Sequence, residues 1–231
     1  MASTFTIYGY DDNPRTRIVK IVAAAEGITL NQSLVVPRKG INKAAYMEIF
    51  PLSQGKIPAI EGNGVRITET IAITYHLSKL SPKSHLLGSA GTLAQESLVL
   101  QYVSFANQEL LQTLACWFLP LIPGFTDPAP YNYGAIELGK RKSLTLLDRL
   151  EEVMAGVQWL VGDGPTLADI FVAVVLSRGL QWVLGRKWRE AHPACMAHFD
   201  RVRKWEPVAQ VILTFDLIEE ELPNVQPAKV A

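Results

Sequence analysis

Cysteine is nearly absent: only Cys116 and Cys195 occur in 231 residues, far apart and outside any CxxC spacing. That excludes a disulfide framework, a thiolate-rich zinc site and a dithiol redox motif, and it suits a reducing, cytoplasmic compartment. An excess of either charge is missing too. Twenty-two Lys and Arg balance twenty-two Asp and Glu, so no nucleic-acid footprint or polybasic membrane patch is indicated, and the expected partner is a small molecule. No run approaches the roughly 18 uninterrupted apolar residues of a membrane span. Met1-Ala2-Ser3-Thr4 passes straight into strand-like Phe5-Thr6-Ile7-Tyr8, without the basic segment and apolar core of a leader. The four histidines, His76, His85, His192 and His198, form no metal-ligand spacing, so no metal is expected.

What is present divides the chain in two. Phe5 to Gly9 alternates like a strand, and Tyr10 to Pro14 is rich in turn formers. Ile18, Ile21, Val22 and Ala25 then mark one helical face, with Asn13 a good cap and Pro14 suited to the first helical position. Leu30 to Val36 predicts a second strand, completing a βαβ unit. Residues 81–92, with Pro82, Gly88 and Gly91, have linker composition, so 1–80 and 93–231 are expected as separate domains. Beyond the linker, helical windows run over Leu93–Leu119, Ala135–Met154, Thr166–Leu184, Met196–Trp205 and Val208–Leu213. The fold class expected is an α/β domain followed by an all-α domain.

Gln54 to Thr70 is the stretch that carries chemistry. Ile57-Pro58 heads an apolar run, and a proline there, kept out of the ladder or held cis, leaves neighbouring backbone groups for a ligand. Gly62-Asn63-Gly64 supplies a hairpin turn between Pro58-Ala59-Ile60 and Val65-Arg66-Ile67. Glu69-Thr70 then places a carboxylate, a hydroxyl and unpaired N–H groups at one helix N-terminus, a combination suited to a zwitterionic amino-acid head group. In the second half, Thr166-Leu167-Ala168-Asp169 reads as an aspartate version of the capping box.

Gly55-Lys56-Ile57-Pro58-Ala59 followed by Glu69-Thr70 resembles the glutathione-binding half of glutathione S-transferases. The segment Val161-Gly162 to Thr166-Leu167-Ala168-Asp169-Ile170 is similar to a marker of their C-terminal domains. Gln101 to Ala106, Trp188 to Pro193 and Phe199 are similar to the transferase-like region of elongation-factor gamma subunits, so the likeness spans about residues 5–215. The resemblance implies a thioredoxin-like first domain. It implies glutathione as co-substrate, held by Lys56, Ile57, Pro58, Glu69 and Thr70, with Lys43 among the cations near its glycyl carboxylate. Where many members carry Ser, Tyr or Cys at the loop-to-helix junction, this chain offers Asn13, Thr16 and the nearby Tyr10, with Asn13 and Thr16 the candidate thiol activators. Tyr10, Tyr102, Phe105 and Trp117 are the candidate lining of an apolar acceptor pocket between the domains. The family commonly forms homodimers through the first domain and the adjoining long helix.

Three activities fit. The first is transfer of the glutathione thiolate to a small, largely apolar electrophile, as in a free-standing fungal-type enzyme; the chain's stop at Ala231, after a Pro-rich polar tail, favours it over a subunit with further domains. The second is glutathione-dependent cis–trans isomerisation of a conjugated alkene by addition and elimination. The third is a non-catalytic interaction module like that of the gamma subunit.

Overall fold

The computed structural model describes residues 3–123, 128–212 and 216–227. Strand β1 (Thr4–Gly9) buries Phe5 and Ile7 on one face and is the second strand of a four-stranded sheet ordered β2-β1-β3-β4. A parallel neighbour needs a crossover, and helix α1 (Pro14–Ala25) supplies it before β2 (Thr29–Leu34), which pairs with Thr29 opposite Thr4 and Leu34 opposite Gly9. β3 (Ala59–Gly62) runs antiparallel to β1 and to β4 (Val65–Thr68). The hairpin between them turns on Asn63 and Gly64, both at positive φ (50° and 78°). Helix α3 (Thr70–Leu80) then lies beside α1, giving a thioredoxin-like half.

β2 stops two residues short of the expected Val36. Val35 N–H still reaches Gly9 O at 3.1 Å, but Val36 turns to form an isolated bridge with Ile41. A helix that periodicity does not predict, α2 (Lys43–Ile49), follows; only Tyr46 of its seven residues is buried, so it has no apolar stripe to read.

The second half begins with α4 (Leu93–Ser104), continues as a π-helical stretch (Phe105–Leu110) and ends in α5 (Leu111–Phe118), one rod over the expected window. Helices α6 (Tyr133–Met154), α7 (Leu167–Trp182), α8 (Arg186–Ala191), α9 (Pro193–Lys204) and α10 (Glu206–Ile212) complete it. The short α8 was not predicted, and Leu213 lies outside the described residues. Every residue of α7 from Leu167 to Leu180 is buried, and α7 packs against α1, α4, α5 and α9. Ile18, Ile21 and Val22 of α1 join the same apolar cluster, so one core runs through both halves.

Asp169 anchors that core. Its Oδ2 accepts from the Thr166 N–H (2.9 Å) and hydroxyl (3.0 Å), closing the expected capping box. Its Oδ1 accepts from Leu160 N–H (3.0 Å) and lies 2.8 Å from His198 Nε2. The two cysteines are unpaired, Cys116 exposed and Cys195 buried. No helix among the described residues is long and apolar enough to cross a membrane.

Candidate functional site

Sheet register brings the chemical stretch together. Ala59 pairs with Tyr8 on one side and Thr68 on the other, so the start of β3, the end of β1 and the end of β4 share one edge. Three loops therefore converge there: Tyr10–Asn13 into α1, Gly55–Pro58 into β3, and Glu69 into α3. The Ile57-Pro58 peptide is cis, and β3 begins only at Ala59, which keeps Ile57 out of the ladder. Below it, the Tyr46 hydroxyl donates to Lys56 O at 2.6 Å, and burial pushes the Tyr46 phenol up to about 12, so this donor stays protonated. Tyr46 thus ties α2 to the loop that presents Ile57.

Glu69 caps α3 with φ 68° and ψ 117°, a conformation that side chains with a Cβ rarely adopt. Its carboxylate makes no capping hydrogen bond and is exposed. Its charge is nonetheless felt by Arg15 of α1 and Tyr46 of α2. Thr70, the next residue, is buried at the helix start. Lys43 and Lys56 are exposed beside Gly55. The Lys43 stem lies over Gly55, whose missing Cβ would come within 2.8 Å of its Cε. This edge therefore carries an exposed carboxylate, two exposed lysines and an Ile57 that lies outside the ladder.

At the loop-to-helix junction, Asn13 Oδ1 accepts from the N–H of Arg15 (3.0 Å) and Thr16 (3.1 Å), which leaves its amide N–H groups as the donors. Thr16 is a correction. Its side chain is fully buried under β1, where a Cβ on Gly9 would come within 2.5 Å of its Oγ1, so the hydroxyl faces the sheet and not the site. Arg15 reaches across to the second half: its Nε donates to Asn107 Oδ1 (2.9 Å) and its Nη2 to Asn107 O (3.4 Å). Burial lowers the Arg15 pKa, and the Glu69 carboxylate opposes that shift.

Of the four acceptor-pocket candidates, Tyr10 packs against the small cluster that contains Ile57. Tyr102 and Phe105 are half-buried on the α4 rod, Phe105 two residues before Asn107. Trp117 is the second correction: it is 2% exposed, within the core and under Lys140, so it packs and does not line a pocket. Sequence reasoning missed Asn107 and Arg178. Asn107 gave no signal, but Arg178 did, as the single charge in the apolar run from Ile170 to Leu180. Among the described residues, no group of three His, Cys, Asp or Glu is placed to hold a metal.

Residues 3–79 match the model of the glutathione S-transferase N-terminal domain and residues 134–201 that of its C-terminal domain. Glutathione S-transferase stcT of Emericella nidulans is 31% identical over 97% of this chain and 98% of its own length. The chain belongs to the glutathione S-transferase family. Elongation factor 1-gamma 1 of Saccharomyces cerevisiae is 32% identical over 77% of this chain, and the match spans 42% of that protein. The crystal structure of the GST-like domain of elongation factor 1-gamma from that yeast superposes with a TM-score of 0.80 at 26% identity, covering 98% of this chain and all of that one. The glutathione transferase URE2P6 of Phanerochaete chrysosporium, solved with oxidized glutathione, shares the fold at a TM-score of 0.77 and 24% identity, over 90% of this chain and 94% of its own.

Proposed function

We propose that this transferase-family chain is an enzyme that adds the glutathione thiolate to a small, largely apolar electrophile. The observation that carries the reading is Glu69, an exposed carboxylate held at positive φ and unspent on its own helix, on an edge that also carries the exposed Lys43 and Lys56. Glutathione has the complementary groups. Its γ-glutamyl head would meet Glu69 and Thr70, its cysteinyl unit the Ile57 backbone ahead of Pro58, and its glycyl carboxylate Lys56 or Lys43.

The sulfur would then lie near Asn13 and the N-terminus of α1. A free thiol has a pKa of about 8.5, and lowering it by two units takes about 2.7 kcal/mol of preferential thiolate stabilisation. The helix dipole, the Asn13 amide donors and the positive charges of Arg15 and Arg17 all act in that direction. With a substrate that has a leaving group, sulfur forms the new bond, the leaving group departs with the bonding electrons and the thiol proton goes to solvent. With a conjugated enone, addition frees the carbon–carbon bond to rotate, and elimination returns the other alkene geometry with glutathione regenerated.

The likeness to the gamma-subunit domain supports a second reading, a protein-contact module without turnover. A glutathione balance with candidate electrophiles and enones separates them. Loss of one thiol per product supports conjugation; sustained isomerisation at constant total glutathione puts the isomerase first. Bound glutathione whose thiol titrates as it does in water, with no turnover, refutes the enzyme.

A further inference from the structure

Among the described residues, Arg178 lies on the most buried helix, α7, and is in no ion pair with a carboxylate. The residue is 9% exposed, and its guanidinium sits 5.7 Å from the Phe118 ring centre and 6.0 Å from that of Trp182. One terminal nitrogen donates to Gln181 Oε1, while Nε is buried without any hydrogen-bond partner. Among the described residues no carboxylate pairs with it. The ionisable groups it feels are Arg17, Tyr10 and Asp12. Of these, Asp12 is largely exposed and is held by Arg17 at 3.0 Å, not by Arg178. Burial, and then Arg17, lower the Arg178 pKa to about 10, so it remains a cation at neutral pH.

A buried charge with an empty donor is costly unless something fills the gap. Arg178 interacts electrostatically with Tyr10, Asp12 and Arg17, all at the loop-to-helix junction, and its helix α7 packs against α1; Tyr10 itself packs in the cluster containing Ile57. The cation therefore adjoins the junction where the thiol is expected. We propose that Arg178 binds a carboxylate of the acceptor, so that the enzyme's substrates are electrophiles with an apolar body against the half-buried Trp182 and an anionic end. A guanidinium presents the planar fork that a carboxylate fits, and flanking rings exclude water from the pair. This inference rests on the transferase reading above.

The probe is 4-chloro-3-nitrobenzoate beside its methyl ester. In both, sulfur bonds to the carbon that bears chlorine, chloride leaves with the electron pair, the thiol proton goes to solvent, and the carboxylate or ester is untouched. The readout is the acid-to-ester ratio of kcat/KM, each corrected for its uncatalysed rate. The parent should favour the acid, Arg178→Gln should lower the ratio tenfold or more, and Arg178→Lys should fall between. A parent with no acid preference, or an Arg178→Gln variant that loses both substrates equally, overturns the proposal. If the parent turns over neither probe, the transferase reading has failed separately. Calorimetry of the two probes on the parent then decides: tenfold tighter binding of the acid sustains the anion site, and equal affinity removes it. The same parent comparison stands if Arg178→Gln does not fold.

Discussion

Replacing Glu69 by glycine is expected to stabilise the protein while weakening its grip on glutathione. A residue with a Cβ held at φ 68° and ψ 117° stores about 1–3 kcal/mol of backbone strain. Glycine releases that strain and returns about 0.5–1 kcal/mol through its freer unfolded chain, for a net gain near 1 kcal/mol. In a chain of this length that raises Tm by about 2–4 °C. No capping bond is lost, because the Glu69 side chain makes none. The glutathione site loses a charge-assisted hydrogen bond of about 1.5–3 kcal/mol, which is roughly 10- to 150-fold in Kd. Glu69 also offsets part of the burial penalty on Arg15, so the charge contributes to stability too. Glu69→Gln separates the effects: it keeps the strain and removes the charge, so the difference between the two variants is the backbone contribution. Urea denaturation without ligand and calorimetry with glutathione give both numbers. A glycine variant less stable than the glutamine variant, or glutathione affinity within threefold of the parent, would refute the reasoning.

Asp169→Ala should cost at least about 3 kcal/mol in urea denaturation, more than the 0.5–2 of a helix cap alone, because four groups on Leu160, Thr166 and His198, three of them buried, lose their partner; a loss under 1 would contradict the anchor assignment. Glu26→Gln addresses the linker side, where burial holds the Glu26 carboxyl above the usual carboxylate range against a hydrogen bond from the Ser84 hydroxyl. A folded pKa above the unfolded one favours the neutral form, so the native glutamate contributes stability at low pH and loses it as pH rises through the folded value. The glutamine variant should therefore melt higher than the parent at pH 7 and nearly with it at pH 4, and an equal shift at both pH values would reject this.

Much of the fold was legible because its signals are local. Alternation at Phe5 and Ile7, Asn13-Pro14 ahead of α1, the Gly62-Asn63-Gly64 turn and the Thr166–Asp169 box each act within a few residues, where sequence spacing is geometry. The site was legible only in part. Glu69 and the Ile57-Pro58 loop could be placed from neighbouring turn and cap chemistry. Thr16 could not, because its hydroxyl faces inward through space left by Gly9, a contact made across β1. Trp117 and Asn107 lie twelve and two residues beyond Phe105, past the start of a π-helical stretch that shifts the face each side chain takes while leaving the apolar pattern unbroken.

The features that identify the family are not the ones that distinguish an enzyme from an interaction module. Asp169 marks the family, yet it is satisfied four times over and serves the core, as it would in a module of the same fold. The departures from local preference lie elsewhere. Glu69 at positive φ and Arg178, in no ion pair among the described residues, both cost stability where they stand; Glu69 opens α3 beside the end of β1, and Arg178 feels the charges of the loop that leaves it. A scaffold selected for contacts on its outer surface gains nothing from strain and unpaired charge beside this edge. An enzyme gains both, because a ligand that supplies the missing partners is bound by the same free energy that the empty protein forgoes. The two residues therefore predict a linked behaviour: glutathione together with an anionic acceptor should raise Tm by more than the sum of their separate shifts if they occupy one continuous site, and strictly additive shifts would place them in independent ones.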